Sequence, residues 1–162
     1  MRRFFRLLKR TALALAVLGL VTGVLAVTTP QGRTAAKTGG FVFQVLPDTP
    51  VKPLEWFTAE PIKESVLYSQ AEGQGEADIY RPRGKGKRAA VLLFLGVNPA
   101  GRDDARVVNL AEGLARSGMV VMVPWSETMT QYRIDPAEVD KLVHAFQYLR
   151  GLEYVDPDRV GM

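Results

Sequence analysis

The sequence predicts an α/β fold: a partial, doubly wound, mostly parallel sheet with an N-terminal hairpin, preceded by a single transmembrane or signal helix. Three observations lead to this prediction. Residues 89–96 and 119–124 are uninterrupted apolar runs, which is typical of strands covered on both faces. Segments of helical periodicity follow each run. Residues 12–27 carry no charge and come directly after a basic block.

The net charge of +4 at pH 7 is concentrated at the N-terminus. Five of the 21 basic residues lie within residues 1–10, so the other 152 residues hold 16 basic and 17 acidic side chains. A nucleic-acid-binding domain needs a basic surface along the phosphates, which this balance argues against. The chain has no cysteine, which excludes disulfides, a thiolate nucleophile and Cys-ligated zinc.

Residues 1–10 are predicted to be a basic cytosolic arm, and residues 11–29 a transmembrane anchor or signal segment. A helix of about 18 residues spans ~27 Å, close to the hydrocarbon thickness of a bilayer. Because flanking cations stay in the cytosol, we expect a single-pass membrane protein with its domain outside the cytoplasm. The alternative is a secreted domain released by signal cleavage, with Val24-Leu25-Ala26 as the cleavage site.

Residues 30–62 are predicted to be a linker, because five prolines and three glycines fall within them. Within this linker, FVFQVL at 41–46 is expected either to form a short strand or to pack on the domain. The domain itself is expected to span 63–162. It opens with a hairpin formed by 63–69 and 76–82, two short runs rich in β-forming residues.

A first helix is predicted over 103–118, between the two apolar strands. Asp103 or Asp104 can cap its start and Gly118 can end it. Its apolar residues recur on one face: Val107, Leu110, Ala111, Leu114 and Ala115.

A second helix is predicted over 135–151. Asp135 is expected as its N-cap, Pro136 at its first position, and Glu138 as the residue that completes a capping box. Its core face is expected to contain Val139, Leu142, Val143, Phe146 and Leu149. A turn then leads to a third apolar strand that begins at Arg159.

Ligands of parallel sheets bind beyond the carboxyl ends of the strands, so the turns 96–102 and 124–134 are the candidate site. Gly96 allows a close backbone approach, and the amides of Val97 and Asn98 could face an anion. The turn is not a Walker loop, because no Gly-Lys-Ser/Thr ends it, and Pro99 spoils a dinucleotide fingerprint.

No complete catalytic triad is visible in the sequence. The only histidine, His144, lies about 200° from Leu142 around its helix and is expected on the surface. Ser117 and Ser126 therefore lack a general base. Asp103 and Asp104 are expected to act as helix caps and not as a metal pair, so neither a metal nor a cofactor is predicted.

The order of these elements resembles the first half of the α/β-hydrolase fold, in particular its dienelactone-hydrolase-like branch. The resemblance covers 63–162 and includes the glycine turn at Gly96, the strand that ends in Pro124-Trp125, and the terminal VDPDRVGM. It implies that a Gly-x-Ser-x-Gly elbow follows Met162, so that the nucleophile, the acid and the histidine all lie beyond this chain.

The resemblance also implies roles for residues that are present. An oxyanion-hole amide is expected at Gly96, Val97 or Asn98, and a pocket residue at Trp125, with Ser126 and Glu127 beside it. The implied function is that of the N-terminal fragment of an exported, membrane-anchored serine hydrolase of small-molecule esters or related acyl bonds, itself inactive. The alternatives are a non-catalytic α/β ligand-binding module and a hydrolase-like scaffold without a nucleophile.

Overall fold

The computed structural model describes residues 14–15, 17–19, 21–24, 28–46, 49–133 and 135–162. Its contacts divide the chain into two units, Met1–Gly39 and Gly40–Met162. The predicted basic arm and part of the predicted anchor lie outside the described residues, and the described residues between 14 and 24 are helical. Within the described ranges, no helix is both long enough and apolar enough to cross a bilayer.

One mixed sheet organises the second unit. Its five strands are β1 (Ile62–Ser69), β2 (Gln74–Arg81), β3 (Arg88–Leu92), β4 (Val120–Pro124) and β5 (Val155–Gly161). Their spatial order is β1-β2-β4-β3-β5. Strand β3 pairs in parallel with β4 and β5, whereas β2 pairs antiparallel with both β1 and β4. The predicted hairpin is therefore confirmed, but it joins the sheet through β4, so the sheet is mixed and not mostly parallel.

Helix α1 (Pro30–Val45) begins before this unit and ends within it. The other described helices of the unit are α2 (Pro53–Phe57), α3 (Ala105–Ser117), α4 (Glu127–Thr130) and α5 (Glu138–Gly151). Helix α3 covers one face of the sheet and α5 covers the other. Two clusters of buried side chains result, and alternate residues of β4 belong to each. This arrangement confirms the doubly wound prediction, since a strand apolar on both sides needs cover on both faces.

The ends of α3 follow the prediction closely. The Asp104 carboxylate accepts a hydrogen bond from the Arg106 N–H at 2.9 Å and caps the first turn. Gly118 adopts the left-handed conformation with φ 110°, and its N–H donates to the carbonyl oxygens of Ala115 and Leu114. A residue with a Cβ is strained in that conformation, which explains why glycine ends the helix.

Helix α5 begins later than predicted. Asp135 accepts a hydrogen bond from the Ala137 N–H at 2.9 Å, but regular helix starts at Glu138. The Glu138 carboxylate does not complete a capping box; it accepts hydrogen bonds from the Thr128 hydroxyl and the Lys141 ammonium, each at 2.7 Å.

The predicted core face of α5 is confirmed for Leu142, Phe146 and Leu149 but is wrong for Val139 and Val143. Val139 and Val143 are 65% and 48% exposed, whereas Ala145 and Leu149 are fully buried. Glu138 is itself buried, because its two hydrogen bonds direct it inward. Since successive helix residues are about 100° apart, turning Glu138 inward moves Val139 and Val143 off the core face.

Residues 30–45 form a helix where a linker was predicted. Pro30 stands at the start, where proline is tolerated, and no further proline occurs before Pro47. Residues 41–46 do not form a strand; Phe41 and Gln44 instead pack on α3, where a Cβ added to Gly113 would lie 3.2 Å from each side chain. The other expectation for this stretch, packing on the domain, therefore describes it.

The following residues continue over the same helix. Leu54 of α2 is fully buried. The Lys52 ammonium donates to the Asn109 side-chain oxygen at 2.8 Å, and the Arg116 guanidinium donates to the Thr58 carbonyl oxygen at 3.2 Å. Residues 40–46 and 49–59 thus contact the outer surface of α3 and belong to the folded unit.

We expect Gly118→Ala to lower the free energy of unfolding by about 1 kcal/mol, because φ 110° is strained for any residue with a Cβ. Gly151→Ala is the matched control: it also lies at a helix end, but a Cβ there would meet no atom within 4 Å, and alanine favours helix. Urea denaturation of both variants measures the difference. Equal stabilities would contradict the assigned role of Gly118.

Candidate active site

The candidate site lies where β3 and β4 end side by side. Their parallel register pairs Leu92 with Met122, so the loop after β3 (residues 93–104, the β3 loop) and the turn after β4 leave the same edge of the sheet. A small cleft of about 20 Å³ lies between them. It is lined by Phe94, Gly96, Asn98, Arg102, Trp125 and Thr130, among others. A space of this size holds about one water-sized group.

The β3 loop presents consecutive backbone amides at this edge. The Leu93 N–H still donates to the Met122 carbonyl oxygen at 2.8 Å and continues the sheet. Gly96 then takes φ 60°, and the chain turns. Within the part of the chain that the structure describes, no hydrogen bond takes the N–H of Gly96, Val97 or Asn98. Adjacent amides of this kind can bind a negatively charged oxygen.

Asn98 fixes the shape of the β3 loop with its side chain. Its Oδ1 accepts a hydrogen bond from the Ala100 N–H at 3.2 Å, and its Nδ2 donates to the Asp104 carboxylate at 3.4 Å. Its carbonyl oxygen accepts the Gly101 N–H at 3.0 Å. Because the side chain is occupied within the loop, the backbone N–H of Asn98 is the group that can face a ligand. The Val97 side chain is exposed.

Trp125 closes the other side of the cleft. The backbone N–H of Trp125 donates to the Glu76 carbonyl oxygen at 2.9 Å, which connects the turn after β4 to strand β2. Gly101 approaches it closely: a Cβ added to Gly101 would lie 3.7 Å from Trp125 Nε1 and 3.3 Å from Thr130 Cγ2. The structure therefore brings Gly96, Asn98 and Trp125 to one cleft, and it places the Val97 side chain outside.

Ser117 and Ser126 both make local hydrogen bonds in the structure. The Ser117 hydroxyl donates to the Gly113 carbonyl oxygen at 2.9 Å. Ser126 caps α4, where its hydroxyl accepts from the Met129 N–H at 3.4 Å. His144 is half-buried and lines a separate depression of about 150 Å³ with Gln70 and Asp140, among others.

The sequence did not reveal a polar cluster beside the turn after β4. The Thr128 hydroxyl contacts the Ser126 hydroxyl at 2.9 Å and donates to Glu138. Burial by itself raises the pKa of the Glu138 carboxyl, but hydrogen bonds from Lys141, Thr128 and Ser126 outweigh it and bring that pKa below its usual value. The one available signal was the i, i+3 spacing of Glu138 and Lys141, which the capping-box interpretation obscured.

Neither a protein-family model nor a curated protein matches the chain. Solved structures do match. The esterase Est22 aligns with a TM-score of 0.54 and 15% identity, over 85% of this chain and 44% of that one. An esterase from the archaeon Pyrobaculum calidifontis aligns with a TM-score of 0.52 and 16% identity, over 90% of this chain and 47% of that one.

Structures of the dienelactone-hydrolase-like branch are also among the matches. A promiscuous phosphotriesterase of that type from metagenomic libraries aligns with a TM-score of 0.45 and 18% identity, over 64% of this chain and 50% of that one. The esterase matches confirm the α/β-hydrolase fold expected from the sequence. The chain spans half or less of the length of each of these three structures.

We expect Gly101→Ala to change the environment of the Trp125 indole, because the new methyl group would lie in van der Waals contact with it at 3.7 Å and tightly against Thr130 Cγ2 at 3.3 Å. Gly96→Ala is the matched control: its φ of 60° is nearly that of Gly101, at 57°, but a Cβ there would meet no atom within 4 Å. Both should cost about 1 kcal/mol in backbone strain. In a Trp56→Phe background, only Gly101→Ala should shift the tryptophan emission maximum; a shift in both variants would contradict this packing.

We expect Glu138→Gln to lower the free energy of unfolding at pH 7 by about 1–2 kcal/mol, because a buried charged acceptor is lost. Since the folded-state pKa of Glu138 lies below its usual value of about 4.5, its contribution is complete above pH 4.5 and is lost as the pH falls through the folded-state pKa. Urea denaturation should show that the difference in free energy of unfolding between the wild type and Glu138→Gln is smaller at pH 3 than at pH 7. The exposed Glu153→Gln serves as control, and a difference that is constant with pH would refute the assignment.

Proposed function

We propose that this chain supplies the oxyanion-binding half of a serine hydrolase that acts on ester or related acyl bonds of small molecules. The observation that carries the proposal is the row of backbone amides at Gly96, Val97 and Asn98, which lie at the carboxyl end of β3 and make no hydrogen bond among the described residues. The esterase structures that share this fold support the same reaction class.

The chemistry of acyl transfer explains why such amides are useful. Attack on an ester carbonyl produces a tetrahedral intermediate whose oxygen carries a negative charge. Amides already aimed at that oxygen stabilise the transition state without having to reorganise during the reaction. The left-handed Gly96 and the hydrogen bonds of Asn98 define the course of the loop without a bound substrate, which supports a preorganised role for these amides.

The size of the cleft indicates which part of an ester substrate this chain would bind. The volume of this cleft, about 20 Å³, accommodates a group of the size of one oxygen atom. We therefore infer that this chain binds the carbonyl oxygen beside Trp125, and that the acyl and leaving groups of the ester are bound mainly by residues of a longer protein. Its span of half or less of the matched structures is consistent with this division.

We further propose that the nucleophile, the acid and the histidine follow Met162. Strand β5 runs parallel to β3, and its register pairs Gly161 with Val91. Its carboxyl end therefore points to the edge of the sheet at which the β3 loop turns. A Gly-x-Ser-x-Gly elbow within a few residues of Met162 would bring a serine hydroxyl to that edge.

Membrane anchoring through residues 11–29, with the domain outside the cytoplasm, is part of the same proposal. It is supported by the uncharged stretch 12–27 and by the five cations within residues 1–10. The intact mass of the protein, measured in both the membrane fraction and the secreted fraction, tests it: recovery from membranes with residues 1–29 retained supports an anchor, and recovery from the secreted fraction without the N-terminal segment supports the cleaved alternative.

The hydrolase proposal is tested with the longer reading frame that contains this chain. We expect it to hydrolyse p-nitrophenyl esters, and residues 1–162 alone to be inactive. Val97→Pro, which removes one amide, should lower kcat by about 10²–10³-fold, as loss of an oxyanion donor does. The control Val97→Ala keeps the amide and should stay within a few-fold of the wild type.

One result would count against the hydrolase proposal as a whole, and another only against the assignment of Val97 to the oxyanion hole. One is a reading frame without Gly-x-Ser-x-Gly beyond Met162, which would favour a non-catalytic anion-binding module built on the same amides. The other is an active enzyme in which Val97→Pro and Val97→Ala have the same kcat, which would remove Val97 from the oxyanion hole.

A further inference from the structure

A buried carboxylate lies at the centre of an ionic cluster on strand β2. The Asp78 side chain is only 2% exposed. It accepts a hydrogen bond from the Ser65 hydroxyl at 2.7 Å and pairs with the Lys63 ammonium at 2.9 Å. Both partners belong to β1, the neighbouring strand of the hairpin. A buried carboxylate needs such partners, because removing its charge from water is costly.

A third partner of this carboxylate comes from the β3 loop. Arg102 lies in the 3₁₀ turn Gly101–Asp103, and its Nη1 lies 3.7 Å from Asp78 Oδ1. Its Nη2 donates to the Glu76 carboxylate. Because β4 separates β2 from β3 in the sheet, the Arg102 side chain reaches across the end of β4 to the hairpin.

Residue type suits Arg102 to this connection. A guanidinium is planar and presents several N–H groups, so it can contact two carboxylates at once. The Arg102 side chain is 19% exposed, whereas that of Lys63 is 44% exposed, so the more buried cation of the cluster is the one that comes from the loop. Together, Glu76, Asp78, Lys63 and Arg102 balance in charge.

We propose that Arg102 is a positioning residue that holds the β3 loop, and with it the amides of Gly96, Val97 and Asn98, in place against the hairpin. Asn98 determines the shape of the turn from within. Through its ion pairs with Glu76 and Asp78, Arg102 fixes the position of that turn relative to the sheet. Glu76 completes the arrangement, because its carboxylate holds Arg102 while its carbonyl oxygen accepts the N–H of Trp125.

The proposal rests on the proposed function only in calling these amides oxyanion donors. Loop position can be measured without any catalytic activity, in the 162-residue chain itself. The amides of Ala100 and Gly101 are suitable probes, because both donate to oxygens of Asn98. Their hydrogen exchange, followed by NMR, reports how often the turn opens.

The test compares Arg102→Gln with Lys63→Gln. Both remove one cation from the same Asp78 carboxylate, but only the first releases the loop. We expect Arg102→Gln to lower the protection of Ala100 and Gly101 at least tenfold more than that of Val121 and Met122 in β4. In Lys63→Gln, all four amides should lose protection in parallel. A parallel loss in both variants would overturn the proposal, since Arg102 would then only neutralise Asp78.

A second variant keeps the test decisive if Arg102→Gln does not fold. Glu76→Gln leaves every partner of the buried Asp78 in place and weakens only the outer end of Arg102. A selective three- to tenfold loss of protection at Ala100 and Gly101 is expected, and unchanged protection there would refute the positioning role. In the longer enzyme, Arg102→Gln should lower kcat with little change in KM; an inactive wild-type enzyme would count against the hydrolase proposal but not against loop positioning.

Discussion

The burial of β4 is the constraint on which the rest of the structure depends. Its residues Val120 to Val123 are at most 1% exposed, and the strand is hydrogen-bonded on both sides, antiparallel to β2 and parallel to β3. Alternate side chains enter the two cores, so α3 and α5 are both packed against this one strand. The residues that follow it, Pro124 and Trp125, are therefore held at a defined point of the sheet edge. The candidate cleft forms where the β3 loop meets that point.

Ion pairs at the edge of the sheet fix the position of the β3 loop more specifically than apolar packing would. Glu76 and Asp78 alternate with Ala77 and Ile79, a pattern that predicts a strand with one solvent-exposed face. In the structure Asp78 is buried, and both carboxylates are paired with cations. Apolar contacts tolerate sliding, whereas an ion pair between a guanidinium and a carboxylate specifies direction and distance. Strand β2 thus contributes Ala77 and Ile79 to the core, while its Glu76 and Asp78 side chains pair with Arg102 of the β3 loop.

The elements with strong local signals could be predicted from the sequence. The apolar strands, the caps Asp104 and Gly118, the hairpin, and Gly96 and Asn98 of the candidate cleft follow from local patterns, although the boundaries moved by a few residues. Trp125 was expected from the family resemblance. Contacts between distant residues could not be predicted. Arg102 meets Glu76 across 26 positions, and Thr128 meets Glu138 across ten. Beside the second contact, Val139 and Val143 are exposed, so the apolar pattern identified Leu142, Phe146 and Leu149 of the core face of α5 correctly and these two valines wrongly. The linker prediction was wrong for the helix at 30–45 because four of the five prolines of 30–62 lie after residue 46 and leave 31–46 free of proline.

The pairing of β2 with β4 has a consequence for synthesis on the ribosome. Ala77 finds its partner Pro124 only 47 positions later. At translation rates of about 5–20 residues per second, roughly 2–10 s pass between the emergence of the two. During that interval the nascent hairpin stands alone, and an isolated two-stranded ribbon is marginally stable in water. Lys63 and Ser65 leave the exit tunnel before Asp78, so both partners that β1 supplies to the carboxylate are available before β4 pairs with β2.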